Sequence, residues 1–288
     1  MIIIPYQVDV TMPRWPIANW VILGAIGAVF ALEMTGPAGS LQPYILDGWS
    51  FRGLFGHMWL HAGIVHALGN MVFLWTFGNA VCAKFGNGFY VLVYLLVGLL
   101  AGVAHLAFDG APALGASGAI NGVIGAFVVL YPLNTVSVLV GVFLWYWRRF
   151  HVRAFWLVLL WLVFDVLGIL LGGLGVAYWA HIGGFAAGFA LTSGLVLGGT
   201  IRMHPAERSL YQAAGWAEVE TRPPAGRGRP TARGVPERPA EPPSTPPPPE
   251  TPLTLRCSCG QVLKAPARFA GRLIQCPVCG QAIRVKQK

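Results

Sequence analysis

The stretch GASGAINGVIG, at residues 115–125, decides how this chain folds. Its glycines recur at spacings of three, four and three residues, so they form one strip along a helix. Residues 181–188, HIGGFAAG, place two glycines in line with His181 in the same way. Helices with such strips can pack closely, and we expect these two helices to bring Ser117 and His181 within hydrogen-bond distance.

Composition predicts that these helices lie in a membrane. Of the 288 residues, 55% are hydrophobic and 11% are charged, which is too apolar for an ordinary soluble protein. One crossing takes about twenty apolar residues. We therefore predict an all-α polytopic membrane protein, a bundle of six transmembrane helices near residues 15–35, 57–78, 88–108, 114–131, 154–173 and 177–199.

Two apolar segments near the predicted spans need separate interpretation. The N-terminus lacks the basic start and the small-residue cleavage site of a signal peptide, so we expect residues 17–35 to be retained as the first span. The piece Val136–Trp147 is short and ends in three aromatic residues, which favours an interfacial segment over a seventh span. A seventh span would invert the C-terminus.

The distribution of basic residues predicts the orientation of the bundle. With six spans, one side carries six basic residues close to the membrane, whereas the opposite side carries only Arg52. Cytoplasmic loops are enriched in Lys and Arg, so we expect both termini in the cytoplasm. The six residues are Arg14, Lys84, Arg148, Arg149, Arg153 and Arg202.

The C-terminal region has a different composition. Residues 201–288 carry fourteen Lys or Arg and six Asp or Glu, so most of the net charge of +9 lies there. The proline-rich residues 204–252 cannot bury a core, which predicts a disordered linker between a membrane domain, 1–203, and a small domain, 253–288. The positive charge of this region could bind anionic lipid or nucleic acid, but it also keeps a linker solvated. We do not expect nucleic acid as a partner.

Four cysteines predict a structural zinc site in the small domain. Cys257 and Cys259 form a first pair and Cys276 and Cys279 a second, with a glycine after each pair. Four thiolates suit tetrahedral zinc, and the flanking strand-like segments fit a zinc ribbon of β-structure. Disulfides are the alternative, but they are rare in the cytoplasm, where we place the tail. The site has no open position, so we expect it to bind an unidentified partner and not to catalyse.

Polar side chains inside the predicted spans need partners, because burying one in hydrocarbon is costly. His66 and Asn70 are four residues apart and share a helix face. They lie at the same predicted depth as Ser117 and His181, and a hydroxyl with an imidazole supplies the groups for nucleophilic acyl transfer. An isolated serine in a membrane helix normally bonds to its own helix, and this is the interpretation we give to Ser137 and Ser193.

Four motifs in the same order resemble those of the rhomboid intramembrane serine proteases. The similarity extends over Trp49–Leu197. The motifs are Trp49 with Arg52 in the first outer loop, HAGIVHALGNM at residues 61–71, GASG at 115–118 and AHIGG at 180–184.

The resemblance implies a Ser-His dyad without the acidic third member of soluble triads. Ser117 would attack the scissile carbonyl, and His181 would act as general base and then as general acid. The oxyanion would be stabilised by His66, by Asn70 and by the backbone N–H of Ser117. The resemblance also implies no cofactor for catalysis, transmembrane proteins as substrates, cleavage near the outer leaflet of the bilayer, and a bacterial plasma membrane as the location.

Hydrolysis in a bilayer also requires water at the site. We expect water to enter through an outer mouth of the bundle. This mouth would be ringed by His57, His61 and the glycine-rich loop at residues 168–175.

Two positions depart from the family pattern. Some rhomboids carry a Tyr one turn below the nucleophile that stacks on the catalytic His; this chain has Asn121, which could hydrogen-bond His181 instead. Asp165 lies in the middle of the predicted fifth helix, where an ionisable side chain is unusual. We assign Asp165 no catalytic role, and both a polar contact between helices and a part in gating are open.

Two other functions remain open from the sequence. A catalytically inactive rhomboid-like protein could hold transmembrane clients in the same cleft, although the intact dyad argues against it. A channel or transporter could use the histidines and Asp165 as a proton path, although the sequence shows no internal repeat.

Overall fold

The chain forms two compact units, residues 1–224 and 225–288. The computed structural model describes residues 2–37, 39–142, 146–173, 175–204, 207–216, 253–256, 258–260, 262–265, 273–275 and 282–285.

The first unit is built mainly from helices. Two short 3₁₀ turns, Gln42–Tyr44 and His57–Trp59, lie between the first helices. A π-helical turn at Leu74–Gly78 joins the third and fourth helices into one continuous helix over Ile64–Phe85. The helices are α1 (Ile17–Thr35), α2 (Phe51–Gly56), α3 (Ile64–Phe73), α4 (Asn79–Phe85), α5 (Asn87–Phe108), α6 (Ser117–Leu130), α7 (Ala154–Leu170), α8 (Tyr178–Leu197) and α9 (Leu210–Ala213).

Several of these helices are suited to cross a membrane. In the described part of the chain, four are long and apolar enough: 17–35, 64–85, 87–108 and 178–197. Helices α6 and α7 are apolar but shorter, about 21 and 26 Å at 1.5 Å per residue. The protein is therefore an integral membrane protein with several spanning helices.

The second span begins and ends later than the predicted range 57–78. Residues 57–59 form a separate 3₁₀ turn, and the spanning helix continues past Asn79 to residue 85. Asn79 is tolerated inside the helix because its amide oxygen accepts a hydrogen bond from Asn19 on α1, at 2.9 Å. The phenol of Tyr90 donates to the same Asn19 side chain at 2.7 Å, so the buried polar groups are paired.

A three-stranded sheet corrects the all-α prediction for the first unit. The strands β1 (Ile2–Val8), β2 (Thr135–Val142) and β3 (Tyr146–Arg153) are antiparallel in the order β1-β2-β3. The predicted interfacial piece 136–147 therefore forms parts of two strands. Valine recurs at every second position of β2, from 136 to 142, which is the period of a strand, and Val136 and Val138 are buried in the core. Ser137, between them, contacts His151 across the strands and is not bonded to a helix of its own.

Helix α6 lies at the centre of the bundle, against α5 and α8. Twelve of its fourteen residues are buried. A Cβ added at Gly184 would collide with the carbonyl oxygen of Gly118, and one at Gly188 would collide with that of Gly122. The glycine strips of α6 and α8 thus face each other in backbone contact, as the spacing predicts.

The chain returns to the bundle after α8. The carboxylate of Glu207 accepts a hydrogen bond from the backbone N–H of Thr11, at 2.6 Å. Ser209 then caps the single turn of α9 with a capping box. These residues fall within the predicted linker, 204–252; its residues 217–252 lie outside the described part of the chain.

The second unit contains two antiparallel hairpins. One pairs β4 (Leu253–Arg256) with β5 (Val262–Ala265), and the other pairs β6 (Leu273–Gln275) with β7 (Ala282–Arg284). Leu255 and Val285 form its apolar core. Of the predicted zinc ligands, Cys259 is described and exposed, whereas Cys257, Cys276 and Cys279 lie outside the described residues.

Candidate active site

Ser117 is the first residue of α6, directly after a sharp turn of the backbone. Gly115 has φ +130°, which disfavours a residue with a side chain. A Cβ at this position would also lie only 2.9 Å from Nε2 of His66. Glycine therefore lets the chain enter α6 with the His66 ring packed beside the serine.

The serine hydroxyl is hydrogen-bonded to an imidazole from another helix. Oγ of Ser117 lies 2.9 Å from Nε2 of His181, which is in the first turn of α8. The close backbone contact between α6 and α8 fixes this distance. The structure thus brings together the two residues that the sequence pairs.

His66 and Asn70 lie on α3 and line the same cavity as Ser117. The Ala62 N–H donates to Nδ1 of His66, at 3.4 Å, and a neutral ring that accepts at Nδ1 carries its proton on Nε2. Asn70 is 8% exposed, and its Nδ2 has no hydrogen-bond partner among the described residues. A buried, unpaired amide is costly, and because Asn70 lines the cavity its side chain is a candidate partner for an oxygen atom of a bound substrate.

The cavity has a volume of about 560 Å³ and lies among α3, α6, α7 and α8. Its polar groups include those of the serine, the two histidines and the asparagine. The remaining wall is largely apolar, so the cavity suits an extended apolar segment with one peptide bond placed at the serine. Residues of this apolar wall include Val65, Phe73, Ile120, Ile124, Trp161, Phe164 and Val176.

His57 and His61 do not ring an open mouth, which corrects the expectation for water entry. They are only 3% and 4% exposed. The carbonyl of His57 accepts the N–H of Gly115 at 2.8 Å, and Nε2 of His61 lies 3.5 Å from the N–H of Ala116. Burial, with a smaller effect from His66, lowers the pKa of His61 to about 4, so the ring is neutral at pH 7 and can accept. These histidines hold the segment that precedes Ser117.

Glu33 is a supporting residue that the sequence did not reveal. Both of its carboxylate oxygens lie 3.1 Å from the backbone N–H of His61. The feature that marks Glu33 in the sequence is its position as a single acidic residue within the apolar first span. That position alone does not identify which loop it contacts.

The two residues that depart from the family pattern have distinct contacts. Asn121 donates to the carbonyl oxygen of Ser117, at 3.0 Å, and does not bond His181 as suggested from the sequence. Oδ1 of Asp165, on α7, lies 2.9 Å from Nδ1 of His181. The side chains of Asp165 and His181 are 13% and 14% exposed. The described hydrogen bonds of the imidazole thus involve both of its nitrogens.

Fold and site together define a class: helical membrane proteins with a serine-histidine pair in a cavity inside the bundle. A family model, the Rhomboid domain, matches residues 48–197, which is just over half of the chain. The chain therefore belongs to the rhomboid family.

Several curated relatives of this chain are named as proteases. Rhomboid protease GluP of Bacillus subtilis (strain 168) is 28% identical over 177 residues, covering 58% of this chain and 32% of the relative. Rhomboid protease GlpG of Klebsiella pneumoniae (strain 342) is 28% identical over 186 residues, covering 60% and 61%. RHOMBOID-like protein 4 of Arabidopsis thaliana is 34% identical over 162 residues, covering 55% and 36%. The chain thus matches between about a third and three fifths of the length of these relatives.

Proposed function

We propose that this protein is an intramembrane serine endopeptidase that cleaves transmembrane segments of membrane proteins near the outer leaflet. The observation that carries the proposal is the 2.9 Å contact between Oγ of Ser117 and Nε2 of His181 inside the bundle. That distance is within reach of proton transfer from the hydroxyl to the imidazole. Ser117 is the nucleophile, and His181 is the general base and then the general acid.

The oxyanion of the tetrahedral intermediate is stabilised by three donors. They are Nε2–H of His66, Nδ2–H of Asn70 and the backbone N–H of Ser117. Support comes from the free Nδ2 of Asn70 and from the acceptor at Nδ1 of His66. Ser117 also lies at a helix N-terminus, where the dipole favours developing negative charge.

The cavity suits a substrate that is an unwound part of a transmembrane helix. A peptide bond in an intact helix is shielded, and its carbonyl is hydrogen-bonded within the helix. The apolar wall of the cavity can cover the side chains of the unwound segment, while the polar groups bind its backbone. Transmembrane proteins and the bilayer are therefore the proposed partners.

The proposed topology has six crossings with both termini in the cytoplasm of a bacterial cell. The four long helices and the shorter helices α6 and α7 together make six crossings. Because α6 and α7 are shorter, we place them where the bilayer is locally thin or where protein fills part of its thickness. Support comes from Arg14, whose guanidinium lies beside Gly86 at the end of α4, the helix whose last turn carries Lys84. Labelling of Arg14→Cys and Arg52→Cys with an impermeant reagent tests the orientation, because only the variant at residue 52 should react from outside. Reaction of Arg14→Cys from outside would contradict the proposed topology.

The small domain is proposed to bind one structural zinc ion through Cys257, Cys259, Cys276 and Cys279. Support comes from the hairpins, because the first cysteine pair falls between β4 and β5 and the second between β6 and β7. Four thiolates suit tetrahedral zinc. We expect zinc in the purified full chain and its loss in Cys276→Ser. Equal zinc content in both would contradict the proposal.

Covalent labelling tests the catalytic proposal. A serine-directed fluorophosphonate should react with the purified wild-type protein, and peptide mass analysis should locate the adduct on Ser117. Ser193→Ala is the matched control and should label like wild type, because Oγ of Ser193 donates to Phe189 in its own helix. Ser117→Ala and His181→Ala should not label. Equal labelling of all four proteins would support an inactive binder of transmembrane clients instead.

Removing an oxyanion donor should lower the rate of cleavage. We expect Asn70→Ala to reduce kcat by about 10²–10³-fold, since one such donor has that effect in other serine proteases. Asn121→Ala makes the same chemical change at an amide that is already paired, because it donates to the carbonyl of Ser117. Steady-state kinetics on a single-span substrate provides the measurement. An Asn70→Ala enzyme as fast as the wild type would exclude Asn70 from the oxyanion site.

A further inference from the structure

We propose that Asp165 is a positioning residue that holds His181 in the orientation and tautomer needed for catalysis; this inference rests on the proposed function. The two ring nitrogens of His181 each have a partner at 2.9 Å, Ser117 at Nε2 and Asp165 at Nδ1. The three side chains form one hydrogen-bonded chain from acid to nucleophile. The site is therefore a triad, where the family resemblance implied a dyad.

The hydrogen bonds determine which ring nitrogen carries the proton. In a neutral imidazole one nitrogen donates and the other accepts. If Nε2 is to accept the proton of Ser117, then Nδ1 must be protonated and must donate. Asp165 accepts from Nδ1, so it selects the tautomer that is competent as a base.

Other neighbours of His181 do not fill this role. Asn121 is bonded to the carbonyl oxygen of Ser117. The Tyr178 ring meets the imidazole edge-on, with ring centroids 6.3 Å apart. The other histidine of the cavity, His66, packs against Gly115, and its described hydrogen bond is to Ala62. Among the described residues, Asp165 is the acid placed to orient the ring.

Proton transfers balance without protonation of Asp165. As Oγ of Ser117 bonds to the scissile carbonyl carbon, its proton moves to Nε2, and the imidazolium is stabilised by the carboxylate. The C–N bond then breaks, and the proton on Nε2 passes to the leaving amine. In the second half, a water gives its proton to Nε2 while its oxygen attacks the acyl carbon. The ester C–O bond breaks, and Oγ recovers the proton.

Asp165 belongs to a different helix from the other two residues. Helix α7 is held by Trp161, whose ring centroid lies 4.7 Å from that of Phe73 and 5.8 Å from that of Phe77. Gly168, also on α7, packs against the Tyr178 ring. The acid therefore reaches His181 only while α7 lies against α8. Completion of the site is linked to the position of this helix.

Steady-state kinetics of Asp165→Asn in lipid vesicles tests the inference. This isosteric change removes the charge and allows the wrong tautomer. We expect kcat on a single-span substrate to fall by up to about 10⁴-fold, the loss that the equivalent change causes in a soluble triad. KM should be unchanged, because the interaction acts in the transition state. Val166→Ala, a half-exposed neighbour on α7, should retain wild-type kcat and KM.

The outcomes separate this inference from the proposed function. An inactive wild type would refute the proposed function, whereas an active wild type with an equally active Asp165→Asn would refute only the role of Asp165. If Asp165→Asn does not fold, nitrogen NMR of isotope-labelled histidine in the wild type decides the question. A proton on Nδ1 of His181 is expected, and a proton on Nε2 alone would overturn the inference.

Discussion

Replacement of Ser117 by alanine is expected to abolish cleavage of a single-span substrate and to leave the bundle folded. The hydroxyl is the only group of this residue that can form the acyl bond, so kcat should fall by about 10⁶-fold, the loss seen when a serine protease loses its nucleophile. The removed oxygen lines a cavity and bonds His181, so no packing atom is lost. The measurement is the cleavage rate in lipid vesicles, together with the thermal midpoint of unfolding.

Ser193→Ala is the control for this prediction. It makes the same chemical change on α8, where the hydroxyl donates to the carbonyl of Phe189 at 2.7 Å. Its cleavage rate should equal that of the wild type. Cleavage by Ser117→Ala at the rate of Ser193→Ala would show that another group is the nucleophile.

Replacement of Gly188 by alanine is expected to give the largest loss of stability for a single added methyl group. The new Cβ would collide with the carbonyl oxygen of Gly122, in the backbone contact between α6 and α8. Overpacking of this kind costs about 1–3 kcal/mol, and more where backbone atoms must move. Movement of α6 away from α8 should also separate Ser117 from His181. We therefore expect both the cleavage rate and the thermal midpoint of unfolding, measured in detergent, to fall.

Gly194→Ala provides a matched comparison on the same helix. No atom lies within 4 Å of a Cβ added at Gly194. Alanine favours a helix over glycine by about 1 kcal/mol in aqueous peptides, so this variant should be as stable as the wild type or slightly more stable. Equal thermal midpoints for Gly188→Ala and Gly194→Ala would contradict the close packing of α6 and α8.

The sequence predicted the centre of the fold because its signals are local. Glycine spacing along α6 and α8 indicates a face that allows close approach, and the polar residues Ser117 and His181 lie beside that face. One strand pair of the sheet is distant in sequence, because β1 pairs with β2 across more than a hundred residues of chain, whereas β2 and β3 are neighbours along the chain. Local apolarity alone cannot distinguish such strands from an interfacial segment.

Supporting side chains of the site were harder to predict than the reacting ones. Glu33 and Asp165 are single acids in apolar helices, and no spacing links either residue to its histidine. Their contacts depend on how α1 and α7 are rotated against the bundle, which sequence periodicity does not fix. The partner of Asn121 was also not predicted, because its amide donates to the carbonyl of Ser117, one turn earlier on the same helix, and not to His181.

The most direct test of the central claim is an experimental structure of the protein after reaction with a fluorophosphonate. The claim predicts a covalent bond from phosphorus to Oγ of Ser117, with Nε2 of His181 beside it. The phosphonyl oxygen should lie about 2.7–3.1 Å from Nε2 of His66 and Nδ2 of Asn70. An adduct on another residue, or a phosphonyl oxygen pointing away from both donors, would contradict the account.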